Sequence, residues 1–328
     1  MRGLVTVFGG SGFIGRHVVR ALAKSGRRVR IAVRNPHVDQ SLRLMGDPGQ
    51  IDLKPADIRN AESVGRALDG AEAAVNLVGV LSQRGAATFR ALQARGAQTV
   101  AEAAAERGVR RFVQISAIGA DADSPSEYAR TKAAGEQAVR DALPTAVVLR
   151  PSIVFGPEDD FFNRFAGMAQ LAPALPLIGG GGTRFQPVFV GDVARAAVRA
   201  LEDEAASGGL YELGGPGVFT FRELMEQVLR LTGRKRFLAP LPVALAKPIG
   251  QTFDVLTKFV PIAPPITADQ VLLLQRDNVV SGEHPGLEAL GVMPTSLDVI
   301  LPTYLWRYRK GGQFAQIEGP GLLASDRP

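Results

Sequence analysis

The string GGSGFIG at residues 9–15 follows an apolar run, Leu4–Phe8, and leads directly into an amphipathic segment, Phe13–Ser25. A strand, a glycine turn and a helix in that order constrain this chain more than any other feature it has. Gly9, Gly12 and Gly15 allow a tight turn, close approach of the backbone to a pyrophosphate, and close packing of helix on strand. Ser11, Gly12, Phe13, Ile14, Gly15 and Arg16 then stand at the helix N-terminus, where N–H groups and the dipole attract phosphate. In that setting the motif predicts dinucleotide binding; a bare glycine triad would not.

The rest of the first half keeps the same alternation. Leu4–Phe8, Val29–Val33, Ala73–Leu77, Phe112–Ile115 and Ala146–Leu149 are short, rich in β-branched residues and bounded by Gly, Asn, Asp or Arg, as buried strands are. Phe13–Ser25, Ala61–Leu68, Thr88–Arg107 and Glu127–Ala142 have helical periodicity. The fold class expected is α/β, a doubly wound parallel sheet. After Ala142 the texture changes. Gly179–Gly182 reads as a loop, Pro187–Val190 as a short strand, Asp192 as the cap of a helix running to Leu201, and Leu210–Leu213 as a strand. Thr220 with Glu223 forms a capping box. From Phe237 on, prolines at 240, 242, 248, 261, 264 and 265 interrupt an apolar stretch, and short helices lying on another surface are expected. The division implied is a nucleotide-binding core over 1–150, the remainder of that fold with substrate-lobe elements over 151–236, and a smaller helical docking segment and tail over 237–328.

Composition excludes several functions. There are no cysteines, which removes disulfides, thiolate catalysis and thiolate-bound metals; His17, His37 and His284 lie far apart, so no metal site is expected. The net charge is +6, but no run of five like charges and no aromatic–basic interleaving points to nucleic acid. No apolar stretch reaches 18 residues, and the chain opens on a strand, so neither a membrane span nor a cleaved leader is expected.

Two further sites carry chemistry. NAD binders place an acid at the end of the second strand; here the strand ends Ala32-Val33-Arg34-Asn35. An arginine there can pair with a 2′-phosphate, with Arg16 assisting, which favours NADPH over NADH. A solvated strand-end arginine is the alternative in so arginine-rich a chain. Tyr128 and Lys132, in YARTK, fall at i, i+4 on one helix face. A lysine ammonium can hold the nicotinamide ribose and lower the tyrosine pKa, which makes Tyr128 a candidate general acid/base.

These residues together resemble the extended and atypical short-chain dehydrogenase/reductase superfamily over residues 3 to about 232. The matching pieces are GGSGFIG, Asp57-Ile58 after the third strand segment, Asn76-Leu77-Val78-Gly79, Ser116, the Tyr128–Lys132 pair, Arg150-Pro151-Ser152 and Pro187–Ala194. The resemblance implies that Asp57 and Ile58 meet the adenine, Leu77, Val78 and Gly79 pass beside the ribose, and Pro151 to Ile153 border the nicotinamide. Ser116 joins Tyr128 and Lys132 at the reaction centre. The next positions are Ala117 and Ile118, where a second hydroxyl usually stands. Loss of an aligned donor at a developing oxyanion costs orders of magnitude in rate, so the catalytic set reads as vestigial.

A narrower resemblance, carried by residues 124–166 and by TYLWRYRKGGQF at 303–314, is to the nucleotide-binding accessory subunits of respiratory complex I in their bacterial form. It implies a structurally bound NADPH, no place on the electron path, and other complex I subunits as partners. It also implies a position on the peripheral arm near the quinone-site junction, at the cytoplasmic face of the inner membrane. The aromatic–basic mix of 303–314, with Trp306, suits docking or contact with anionic lipid. The same site residues are compatible with a free-standing NADP-dependent reductase or nucleotide-sugar epimerase.

Overall fold

The computed structural model describes residues 2–37, 39–259 and 267–314. Seven parallel strands form the central sheet: β1 (Arg2–Phe8), β2 (Arg27–Val33), β3 (Ile51–Pro55), β4 (Ala73–Asn76), β5 (Arg111–Ile115), β6 (Val147–Pro151) and, returning after a long excursion, Leu210–Leu213. Their order across the sheet is Leu210–Leu213, β6, β5, β4, β1, β2, β3, so the chain starts in the middle and winds outward both ways. All pairings are parallel. Such a sheet is covered on both faces, which is why the inner strand β4 is buried along its whole length, while the edge strand β3 alternates. One face packs Val5, Val7, Val29 and Ile31 against Val18, Val19 and Leu22 of α1 (Phe13–Lys24). The other packs Phe8, Ala74 and Phe112 against α2 (Ala61–Leu68), α3 (Gly96–Glu106) and α4 (Glu127–Ala142) through Leu68, Val100 and Val139.

The expected α/β fold is the one observed, and several local readings are corrected. The helix expected over Thr88–Arg107 begins as a π-helical turn, Arg90–Arg95, before continuing as α3. Asp192 does not cap its helix. Phe189 holds the cap position, and Asp192 lies buried in the first turn, accepting the Thr295 N–H at 2.6 Å and the Thr295 hydroxyl at 2.9 Å. A buried carboxylate needs donors, and a partner about a hundred residues away supplied them. The Thr220–Glu223 capping box forms as read.

The second lobe has its own core, in which Phe155, Phe162, Phe185, Phe221, Tyr304 and Leu305 meet. Its proline-rich part is not a set of short helices. Phe237–Leu241 is a strand parallel to Ala174–Ile178, and Val243–Phe259 is a helix of 17 residues with Pro248 inside it. Pro240 is tolerated because this strand is an edge and needs to bond on one side only. Pro261, Pro264 and Pro265 lie outside the described residues. Among the described residues no helix is long and apolar enough to cross a membrane.

The segment read as an exposed aromatic–basic surface is largely turned inward. Tyr304 and Leu305 are buried, the Tyr304 hydroxyl donates to Asp159, Tyr308 donates to Asn163 Oδ1 at 3.0 Å, and Arg309 donates to the Leu231 carbonyl at 2.8 Å. Trp306 is half-buried and bonds to the Thr303 carbonyl, which leaves Arg307, Lys310 and Phe314 as the outward aromatic and basic members.

Candidate functional site

The candidate residues follow the C-terminal ends of β1, β2, β4, β5 and β6, where the strand order reverses, the place at which open sheets of this kind form a ligand crevice. Gly9 has φ of 81°, and a Cβ there would come within 3.1 Å of the Leu77 backbone. The Gly12 N–H closes the turn on the Gly9 carbonyl at 3.0 Å. Gly12 caps α1 without any side-chain bond, is exposed, and no acid stands in the first turn. The helix therefore presents unpaired N–H groups of Phe13, Ile14 and Gly15 to whatever fills the crevice. The Arg16 guanidinium turns back onto the Ser11 carbonyl at 2.9 Å.

At the end of β2, Arg34 is exposed and has no hydrogen bond or ion pair among the described residues; Asn35 Oδ1 accepts the His37 N–H. Asp57 lies near enough to Arg34 to feel its charge, but it is held chiefly by Arg59, whose Nε is 2.9 Å from Oδ1. That bond, then the nearby charges of Arg59 and Arg34, keeps the Asp57 carboxyl below its usual range. Ile58 is buried against Gly96. Leu77 continues β4 by bonding to Phe8, and the Val78 N–H rests on Asn76 Oδ1 at 3.2 Å.

The other end of the crevice holds Ser116, Tyr128 and Lys132. Lys132 is buried, has one long bond from Nζ to the Ile115 carbonyl at 3.4 Å, and is pushed down to about 8 by burial, with Glu136 opposing. A Cβ on Gly79 would sit 3.2 Å from that Nζ, so the glycine leaves the lysine room. Ser116 Oγ is buried with no hydrogen-bond partner. Tyr128 is half-buried beneath Phe89 and is pushed up to about 12, first by burial and then by the Asp269 carboxylate. Pro151 ends β6 with its carbonyl accepting from Ile118, and the Ile153 N–H donates to Asn278 Oδ1 at 2.9 Å.

The candidate residues read from the sequence thus follow the C-terminal ends of the central strands, although Ile58 is buried against Gly96 and Arg16 is turned back onto Ser11. An open helix end, a free arginine, a buried hydroxyl lacking a partner and a buried ammonium with one weak bond are groups that a phosphate-bearing, hydroxyl-rich ligand would satisfy. A nicotinamide nucleotide is a ligand of that chemistry.

Sequence reasoning missed four contributors. Arg59 holds Asp57. Gln93, in the π turn, bonds the Val80 carbonyl at 2.7 Å and accepts from Thr131 at 3.1 Å. Asp269 accepts the Ser126 hydroxyl at 2.7 Å and the Glu127 N–H at 2.8 Å. Asn278 is the fourth. For the last two no local signal exists, since their partners are more than a hundred residues away.

The fold and its glycine turn define a Rossmann-type protein of the class that binds nicotinamide nucleotides. The chain belongs to the NAD dependent epimerase/dehydratase family, which residues 5–214 match, and within it lies close to complex I accessory subunits. The protein of Arabidopsis thaliana named NADH dehydrogenase [ubiquinone] 1 alpha subcomplex subunit 9, mitochondrial, is 37% identical over 94% of this chain and 79% of its own length. A ceramide reductase of Caulobacter vibrioides is 33% identical over 74% of each. Among solved structures, an NADPH-dependent quinone oxidoreductase of Escherichia coli complexed with NADPH superposes with a TM-score of 0.71 at 20% identity, covering 92% of this chain and 98% of that one. That likeness shows the fold alone.

Proposed function

We propose that this protein is an accessory subunit of the proton-pumping NADH:quinone oxidoreductase, complex I. In this reading it holds NADPH as a structural group, stabilises the peripheral arm near the quinone-site junction, and lies at the cytoplasmic face of a bacterial inner membrane. One observation carries it: the 37% identity with a respiratory subunit runs through 94% of the chain, well past residue 214 where the general family pattern stops. In such a subunit Gly9–Gly15, Arg34, Asp57, Leu77–Gly79 and Lys132 hold the nucleotide, and the nucleotide supplies rigidity where the two lobes meet. The reaction centre agrees with a binding rather than a turnover role. Ala117 and Ile118 bring no second hydroxyl.

The docking surface in this reading meets other complex I subunits. Any contact of 303–314 with anionic lipid falls to its outward residues, Arg307, Lys310 and Phe314. A tagged copy purified from gently solubilised membranes should co-migrate with quinone-reducing respiratory subunits on native sizing. A lone soluble species would overturn the subunit reading and favour the free-standing reductase, for which Tyr128, Lys132 and the ceramide reductase relative speak.

For the cofactor, Arg34→Ala should weaken NADPH binding by about 2 kcal/mol, roughly thirtyfold, and leave NADH nearly unchanged, because only the 2′-phosphate loses a charge-assisted bond. Titration of both nucleotides checks this. Equal loss for both would mean that Arg34 does not read the phosphate.

A further inference from the structure

We infer that Asn278 is a positioning residue for the nicotinamide end of the site, a role that rests on the nucleotide-binding reading above. The backbone at the ends of β5 and β6 leaves the sheet here, and its buried amides must find partners elsewhere. Asn278 supplies them from the distant C-terminal lobe. Its Oδ1 accepts the Ile153 N–H at 2.9 Å and the Ser152 hydroxyl at 2.7 Å, and its Nδ2 donates to the Ile118 carbonyl at 3.4 Å. The Ser152 hydroxyl is also 2.8 Å from the Asn278 carbonyl. The Ile118 N–H in turn bonds the Pro151 carbonyl at 3.0 Å. One side chain therefore ties together the loop after Ser116 and the loop over Pro151–Ile153, the two walls between which a nicotinamide ring would lie.

Asn278 itself is fixed independently of those walls. Its N–H donates to the Arg184 carbonyl at 2.8 Å, its carbonyl accepts from Gln186 at 3.1 Å, and the adjacent Asp277 pairs with Arg184. Arg276 adds a tie of its own to the loop after Ser116, through Asp121 at 2.7 Å, which loss of the Asn278 amide leaves in place. The segment is thus anchored when the amide is removed, and the loss falls on the walls. The adenosine end, formed by Gly9–Arg16, Arg34 and Asp57, makes no bond to Asn278.

This separation sets the test. In the intact chain, Asn278→Ala should lower NADPH affinity about tenfold and adenosine 2′,5′-bisphosphate affinity by less than about twofold, the effect of three lost side-chain bonds confined to one end of the ligand. The fluorescence of bound NADPH should shift toward that of the free nucleotide, since the ring is held less firmly. Asn278→Asp keeps both acceptor bonds and should recover most of the NADPH affinity. Should the alanine variant fail to fold, Ser152→Ala removes one tie and is expected to give a smaller loss with the same selectivity. Equal loss for the two probes, or unchanged NADPH affinity in a folded variant, overturns the inference. Failure of the unaltered protein to bind either probe overturns the nucleotide reading and the inference with it.

Discussion

Gly15→Ala is expected to abolish nucleotide binding and to lower the thermal midpoint of the protein by roughly 10 °C. A Cβ at this position would stand 2.1 Å from the Gly9 carbonyl oxygen and 2.7 Å from the Gly10 Cα. Both are backbone atoms inside the turn, so no side chain can move aside, and α1 has to separate from β1. Overpacking of this kind costs about 3 kcal/mol or more, and each kcal/mol moves the midpoint of a large domain by roughly 2–4 °C. Gly12→Ala provides the contrast. Its nearest contact would be the same oxygen at 3.3 Å, so the fold should persist while the methyl group obstructs the phosphates. Thermal unfolding and NADPH titration of the two variants side by side check the pair. A Gly15→Ala protein with the midpoint of the original would contradict the packing argument.

The second large effect is expected at Asp159, which lies outside the candidate nucleotide site. Its Oδ1 accepts the N–H groups of Phe162 at 2.7 Å and Asn163 at 3.1 Å, its Oδ2 accepts that of Gly156 at 3.1 Å, and the buried Tyr304 hydroxyl donates to it. Burial pushes its pKa up, and those four donors work against the shift. Asp159→Ala leaves all four without an acceptor in a water-poor interior, at a cost of about 3–5 kcal/mol. The loop 156–163 and the segment 302–309 should loosen together, so Tyr304→Phe combined with Asp159→Ala should cost less than the two losses added. Thermal unfolding of the single and double variants reads this directly. Strict additivity would mean that the two residues do not act as a unit.

How much of this was legible beforehand follows physical range. The nucleotide turn was fully legible because strand, glycines and helix lie within a few residues of one another. Helices Ala61–Leu68 and Glu127–Ala142 were read from their periodicity with the observed bounds, and Asn60 and Ser126 cap them in the structure. The π turn at Arg90–Arg95 was not legible, since its residues have ordinary helical preferences. What distinguishes it is a contact: a Cβ on Gly135 would lie 2.1 Å from the Gln93 carbonyl. Asp192 was misread as a cap because Asp before an apolar helix usually is one, whereas its burial depends on Thr295. The strand Phe237–Leu241 was obscured by Pro240, which rules out a central strand but not an edge. In the site, residue types within one motif were readable; the pairings of Asp57 with Arg59, Glu127 with Asp269 and Ile153 with Asn278 were readable only in three dimensions.

The Asp269 contact has a bearing on synthesis. Helix α4 carries Tyr128 and Lys132, and its first turn is bonded by Ser126 and by a carboxylate 142 residues downstream of Glu127. A ribosome adding about 5–20 residues per second needs on the order of 10–30 s to cover that distance. During this interval the glycine turn and the adenosine end are already out and able to fold, whereas the opposite end of the crevice still lacks its last supports. On the proposed nucleotide reading, the phosphate half of the ligand has its place in the nascent chain before the ring half does.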